Sequence, residues 1–194
     1  MGAAKFHELY KMEDALDKIR AFADTAHGSQ MRKYTPERYI VHPVRVMETC
    51  RKFGGSFEVL AAALLHDVLE DTPVSAKELR DFLLTLTDEH SAEKIVILVI
   101  DLSDVFVKRA YPTLNRRARK NRELERFVKA DADAHTVKYA DIWDNSLEMV
   151  EMDRHFAPRY LSESLQILRK ADKGNPELRA VVLKAVEGSL RELR

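Results

Sequence analysis

The segment Leu60-Ala61-Ala62-Ala63-Leu64-Leu65-His66-Asp67-Val68-Leu69-Glu70-Asp71-Thr72 places four ionisable side chains directly after six apolar ones. Burying an uncompensated ion costs several kcal/mol, so such groups are normally paired or hold a metal. A continuous helix through Thr72 would stack His66 under Glu70 and Asp67 under Asp71, four residues apart, in two adjacent polar columns. A satisfied core histidine followed by a solvated helix end is the plainer alternative, and for a lone His-Asp pair it is the better one. The second acidic pair and the apolar run before it favour a site. One helix cannot fill a metal's coordination shell, so partners must come from elsewhere in the chain.

Two such partners stand out. His42 opens the helix before this one, and helices joined by a short Gly54-Gly55 turn pack as neighbours. Asp141 and Asn145 lie four apart in the otherwise apolar Tyr139-Ala140-Asp141-Ile142-Trp143-Asp144-Asn145. His42, His66, Asp67 and Asp141 together supply two imidazoles and two carboxylates. That mixed set suits Mn²⁺, Fe²⁺, Co²⁺ or Zn²⁺ better than Mg²⁺ or Ca²⁺. It also leaves room for water on an ion of higher coordination number, as metal-assisted hydrolysis requires.

The elements that must position these groups read as helices throughout. Leu9, Met12, Leu16, Ile19, Phe22, Ala23 and Ala26 recur at helical spacing from Lys5 to about His27, with Gly28 as the stop. Gln30 to Arg38 is a polar loop. A helix then runs from about His42-Pro43 to Gly54-Gly55, and Ser56 caps the central one. Ser75 and Glu78 form a capping-box pattern opening a helix to Leu86. Ile95-Val96-Ile97-Leu98-Val99-Ile100 would pass for a buried strand, but no other segment offers a strand partner, so Ala92 to Leu102 is expected to be helical. Ser103 to Pro112 reads as a loop and Arg116 to Lys129 as a charged helix. Ala134 to Glu151 follows, with an apolar stripe of Val137, Ala140, Ile142, Trp143, Leu147 and Val150. Helices from about Pro158 to Ala171 and Pro176 to Leu193 flank the turn Asp172-Lys173-Gly174-Asn175. The expectation is one all-α domain over residues 1–194.

Composition narrows the function. Lys+Arg and Asp+Glu both number 32 in 194 residues, so no net field favours nucleic acid or an anionic membrane. The basic helix from Arg116 to Arg126 is interleaved with Glu123 and Glu125 and reads as a solvated or substrate-rim face, not a nucleic-acid surface. The single cysteine, Cys50, excludes an internal disulfide and suits a reducing compartment. No apolar run reaches membrane-spanning length and the first residues lack a signal-type apolar region, so a cytoplasmic protein is expected.

Taken together, these residues carry a resemblance. His42, His66-Asp67 and Asp141 resemble the His…His-Asp…Asp signature of the HD-domain metal-dependent phosphohydrolases. One branch matches further, through Ala26-His27-Gly28-Ser29-Gln30-Met31-Arg32-Lys33, Tyr39-Ile40-Val41-His42-Pro43, His66-Asp67-Val68-Leu69-Glu70-Asp71-Thr72 and Lys138-Tyr139-Ala140-Asp141 with Asn145. That branch is the (p)ppGpp hydrolases, the hydrolase half of the Rel/Spo enzymes and the stand-alone small alarmone hydrolases. The similarity covers about residues 10–170. It implies that His42, His66, Asp67 and Asp141 hold one metal, Mn²⁺ in that branch. Glu70 and Asp71 would position or activate the attacking water, Arg32 and Lys33 would bind phosphate, and Asn145 would contact the nucleotide. The implied reaction releases pyrophosphate from the 3′ position and leaves GDP or GTP, without a synthetase activity. Two departures concern base recognition: Thr35-Pro36-Glu37-Arg38 lacks the usual glycine, and Val99 to Arg122 differs from the long bifunctional enzymes. Hydrolysis of another nucleotide (a deoxynucleotide, a nucleoside monophosphate or the 2′-phosphate of NADPH) and a non-enzymatic sensor or antitoxin-like module stay open. Oligomeric state has no signal in the sequence.

Overall fold

Because every side chain from Val59 to Leu65 is apolar, the central helix has no face for water and must be enclosed on all sides. The computed structural model describes residues 3–193, with side chains from 6 to 193. It divides into two compact units, Met1–Ile100 and Asp101–Arg194.

The first unit builds its core on that helix. Its elements are α1 (Ala3–His27), α2 (Val41–Lys52), α3 (Phe57–Leu65), α4 (Val68–Asp71), α5 (Ala76–Leu83) and α6 (Glu89–Leu102), whose last two residues belong to the second unit. Helix α3 packs on α1 and α2, and α1 also meets α4. Leu16, Ile19 and Ala23 of α1 and Val46, Met47 and Cys50 of α2 are buried with the whole of Val59 to Leu65. The α2–α3 connection depends on glycine. Gly54 has φ +76°, and a Cβ on Gly55 would lie 3.1 Å from both the Cys50 carbonyl and Val59 Cγ1. Ser56 caps α3, and Ser75 with Glu78 closes the expected capping box on α5.

Helix α6 resolves the ambiguous β-branched run. Ala92, Ile95, Val96, Leu98, Val99 and Leu102 are buried while Ile97 and Ile100 face outward, a period of 3.6 and not 2. Among the described residues the β-structure amounts to one isolated antiparallel bridge, Met31 with Arg38. The all-α expectation holds.

The second unit comprises α7 (Arg116–Phe127), α8 (Ala132–Met152), α9 (Ala157–Lys170) and α10 (Pro176–Glu192). Helix α10 packs on α8 and α9, and α7 on α9. The apolar stripe of α8 differs from the expected one at its end. Ile142 and Ser146, four apart, keep the buried face, so Leu147, a further 100° round the helix, is turned out and 61% exposed. The turn before α10 lies so close to α8 that a Cβ on Gly174 would sit 2.7 Å from the Thr136 amide nitrogen. Tyr139 is fully buried and its hydroxyl donates to the Ala171 carbonyl at 2.6 Å.

The basic helix α7 spends its cations on its own unit. Buried Glu123 accepts the Val105 and Phe106 amides through Oε2, both at 2.9 Å, and Arg126 through Oε1 at 2.5 Å. Arg126 also donates to the Asp101 and Ser103 carbonyls at 2.9 and 2.8 Å. Lys120 pairs with Asp104 at 2.7 Å, and Arg116 makes two hydrogen bonds to Glu163 at 2.9 and 2.6 Å. Glu123 is therefore the acceptor that organises the 103–106 loop and not part of a solvated face.

Histidine 135 supplies a pH dependence with a definite sign. Its Nε2 faces the Phe127 carbonyl at 2.9 Å and its Nδ1 faces the Lys173 amide at 3.3 Å. The carbonyl only accepts and the amide only donates, so the ring is neutral with its proton on Nε2. Burial, first, and the Lys173 charge lower its pKa; the Phe127 bond, Asp172 and Asp101 oppose this and are outweighed. A lowered folded pKa means that the unfolded chain binds the extra proton first, starting near its ordinary value of about 6.5. Stability of this unit is then complete above about pH 6.5 and falls as pH drops through the folded pKa. Urea unfolding followed by Trp143, the single tryptophan, is expected to show a lower midpoint at acid pH than at neutral pH. His135→Gln is expected to flatten that difference; equal slopes in both proteins would refute the assignment.

Candidate metal centre

Helix α3 does not run on through the His-Asp pair. It ends at Leu65, His66 and Asp67 form a turn (φ −57°, ψ −30° and φ −99°, ψ −5°), and α4 resumes at Val68. This corrects the expected continuous helix: the departure is at Asp67, whose ψ of −5° lies well off the α-helical value of about −42°. At the same place His66 turns its side chain back on α3, with Nδ1 donating to the Ala63 carbonyl at 2.8 Å. The register survives beyond the turn, since the Asp71 amide donates to the Asp67 carbonyl at 2.9 Å.

That hydrogen bond also settles the imidazole. A carbonyl can only accept, so Nδ1 carries the proton and a neutral His66 ring presents its lone pair at Nε2. This atom lies 3.0 Å from Asp67 Oδ2, and His42 Nε2 lies 3.8 Å from the same oxygen. His42 and His66 are 1% and 2% exposed, with ring centroids 5.1 Å apart at 70°. One ligand atom from each of His42, His66 and Asp67 falls within 4.8 Å of the others. A lone pair and a carboxylate oxygen at 3.0 Å repel unless a proton or a metal ion lies between them. The donor set, two imidazole nitrogens and a carboxylate, fits a divalent transition metal.

Tyr39 completes the cluster, and the sequence reading gave it no role. It lies one turn before His42, whose amide bonds the Tyr39 carbonyl at 3.0 Å. Its hydroxyl donates to Asp67 Oδ2 at 2.5 Å. Arg32 lies over the same ring, its guanidinium carbon 5.8 Å from the centroid. The glycine-free loop that carries Arg32 and Lys33 closes as a small hairpin, with Arg32 N–H to Glu37 O at 2.9 Å and Tyr39 N–H to Gln30 O at 3.0 Å. Side chains pin it: Glu37 to Arg45 at 2.9 and 3.0 Å, and Arg38 to Asp24 at 2.8 Å. Lys33 is held over the Tyr34 ring and donates to its hydroxyl at 2.5 Å. Glu70 and Asp71 are exposed on α4, and Asp71 Oδ2 accepts from Gln30 Nε2 at 3.3 Å.

Asp141 and Asn145 belong to the second unit. Buried Asp141 accepts from Lys138 at 2.8 Å through Oδ2 and from Asn145 at 2.5 Å through Oδ1. The cluster of metal-ligating groups found among the described residues joins His42, His66 and Asp67 and does not include Asp141.

The model of the HD domain family matches residues 20–167. The chain belongs to the HD-domain family. A Synechocystis protein named as a probable guanosine-3′,5′-bis(diphosphate) 3′-pyrophosphohydrolase is 28% identical over 84% of this HD chain and 25% of its own length. The Escherichia coli bifunctional (p)ppGpp synthase/hydrolase SpoT is 26% identical over 95% of this chain and 31% of its own length. The chain therefore spans a quarter to a third of these relatives. A solved structure described as a metazoan ortholog of SpoT that hydrolyses ppGpp has the same fold, with TM-score 0.75 and 22% identity over 93% of this chain and 97% of that one. No described helix of this HD domain is long and apolar enough to cross a membrane.

Removing the Tyr39 hydroxyl takes away the group that holds the Asp67 carboxylate. Loss of such an outer partner typically weakens metal affinity about 10- to 100-fold. Calorimetric titration with a divalent transition metal is expected to show that loss for Tyr39→Phe and no measurable site for His66→Ala, with helix content unchanged in both. Wild-type affinity in His66→Ala would refute the site.

Proposed function

We propose that this HD domain hydrolyses (p)ppGpp at its 3′-pyrophosphate, giving GDP or GTP and pyrophosphate. The observation that carries the reading is the Asp67 carboxylate, facing two buried imidazoles and held by Tyr39. It occurs in a chain that aligns along most of its length with proteins named for that reaction. His42, His66 and Asp67 hold one divalent ion, Mn²⁺, and Asp141 is the fourth ligand that the family pattern implies. Bound there, the ion supplies Lewis acidity toward a phosphoryl oxygen and makes its water acidic enough to be deprotonated near neutral pH.

The chain's own residues do the rest. Glu70 and Asp71 orient the attacking water and accept its proton. Water attacks the phosphorus bonded to the 3′ oxygen, that P–O bond breaks, and the 3′ oxygen leaves as a hydroxyl after taking up a proton. Arg32 and Lys33 offset the charge of the pyrophosphate with fixed cationic donors, and Asn145 contacts the nucleotide. Arg32 is suited to this because it lies over the ring of Tyr39, whose hydroxyl donates to Asp67.

Pyrophosphate release from ppGpp by Mn²⁺-loaded protein tests the reading. Asp67→Ala is expected to abolish it, and Glu70→Gln to lower kcat by about 10²- to 10⁴-fold, the usual contribution of general acid–base catalysis. Release that persists in Asp67→Ala contradicts the site. No release by metal-loaded wild type contradicts the substrate, and orthophosphate or pyrophosphate detection over a nucleotide panel then finds the replacement.

A further inference from the structure

His27 and Gln30 stand outside the metal cluster and outside the roles given above, yet the structure joins them to it from two sides. His27 is the last residue of α1 and only 7% exposed. Gly28, at φ +57°, turns the chain so that the Gln30 amide returns to the His27 carbonyl at 3.0 Å. The side chains then meet, with His27 Nδ1 2.9 Å from Gln30 Oε1, while Gln30 Nε2 reaches Asp71 Oδ2 at 3.3 Å. The polarity of this chain is determined at its end. A carboxylate only accepts, so the Gln30 NH₂ must face Asp71 and its carbonyl must face His27. His27 therefore donates from Nδ1.

The rest of the His27 ring speaks against a packing role. Its Nε2 is buried without a hydrogen-bond partner, which costs stability that an apolar residue would not lose. A histidine favouring the C-terminal end of a helix through its charge would sit in solvent, whereas this ring lies against Tyr39, with centroids 4.5 Å apart. Tyr39 in turn bonds Asp67. One imidazole thus touches the supports of both acidic groups: Asp71 through Gln30, and Asp67 through Tyr39.

We propose that His27 and Gln30 are positioning residues that hold the Asp71 carboxylate in the orientation needed to receive the attacking water. This rests on the hydrolase reading and extends it to residues that touch neither metal nor substrate. Gln30 is the replaceable part of the relay, being half-buried at the surface. An asparagine at position 27 keeps an N–H donor close to where Nδ1 stands, whereas phenylalanine keeps only the ring.

The test uses wild type, Gln30→Ala, His27→Asn and His27→Phe, each loaded with Mn²⁺ and assayed for pyrophosphate release from ppGpp. Gln30→Ala and His27→Phe are expected to lower kcat about 10- to 100-fold, with KM and Mn²⁺ affinity within about threefold of wild type. His27→Asn is expected to retain most of kcat, a rescue that a purely structural histidine would not predict. Unchanged kcat in Gln30→Ala, or a loss that follows metal affinity, overturns the relay. Should His27→Phe fail to fold, Gln30→Ala decides. Imidazole ¹⁵N spectra provide a readout free of substrate. The relay requires His27 in the Nδ1–H form, shifted by Gln30→Ala, and a ring protonated only on Nε2 overturns it. If the wild type releases no pyrophosphate, the substrate assignment fails and the imidazole spectrum alone judges the relay.

Discussion

The site of the first unit turns on one contact, between a buried imidazole nitrogen and a carboxylate oxygen, that calls for a proton or a metal ion between its two atoms. The Ala63 carbonyl accepts a hydrogen bond from His66 Nδ1, so Nε2 is the atom left to face Asp67 Oδ2 at 3.0 Å. With the ring neutral, two acceptors at that separation, beside a second buried imidazole, form a concentrated negative potential where little water can screen it. A proton relieves the contact partly. A divalent ion relieves it fully, because it satisfies every donor atom together. The bond from His66 Nδ1 to the Ala63 carbonyl lies where α3 gives way to the His66–Asp67 turn, so the helix end and the ligand geometry coincide.

The surrounding structure serves that contact. From Val59 on, helix α3 is apolar all round, and α1 and α2 pack on it, so His66 leaves a dry helix end with little freedom to reorient. The Gly54–Gly55 turn brings α2 back against α3 and so sets His42 beside His66. Tyr39 reaches Asp67 from the chain just ahead of α2, and the hairpin before it gives Arg32 a defined place on the same ring. In the second unit the polar groups are engaged in a different manner: Glu123 and Arg126 tie down a loop, and Asp141 is held by Lys138 and Asn145.

How much of this could be read from the residues alone follows from the kind of signal each carries. His66 and Asp67 stand out because ionisable groups after six apolar residues are costly, and His42 because it opens the neighbouring helix. Helix α6 is legible by elimination, since a β-branched run without a partner strand cannot form a sheet. The break at His66 is not legible, because periodicity counts side-chain faces and not the backbone angles of a two-residue turn. Glu123 reads as solvated among its arginines, and only the three-dimensional path of residues 103–106 reveals it as a buried acceptor. Tyr39, His27 and Gln30 are ordinary in isolation. Their meaning comes from bonds to Asp67 and Asp71, which lie 28 and 41 residues away along the chain in the two direct contacts.

X-ray absorption at the metal edge of the Mn²⁺-loaded protein tests the central claim most directly, since it reads the ligand shell without reference to any substrate. Two buried imidazoles on one ion predict the multiple-scattering pattern of two histidine ligands, reduced to one in His42→Ala. A shell of oxygen atoms alone, unchanged by that substitution, would contradict the site built here on His42, His66 and Asp67.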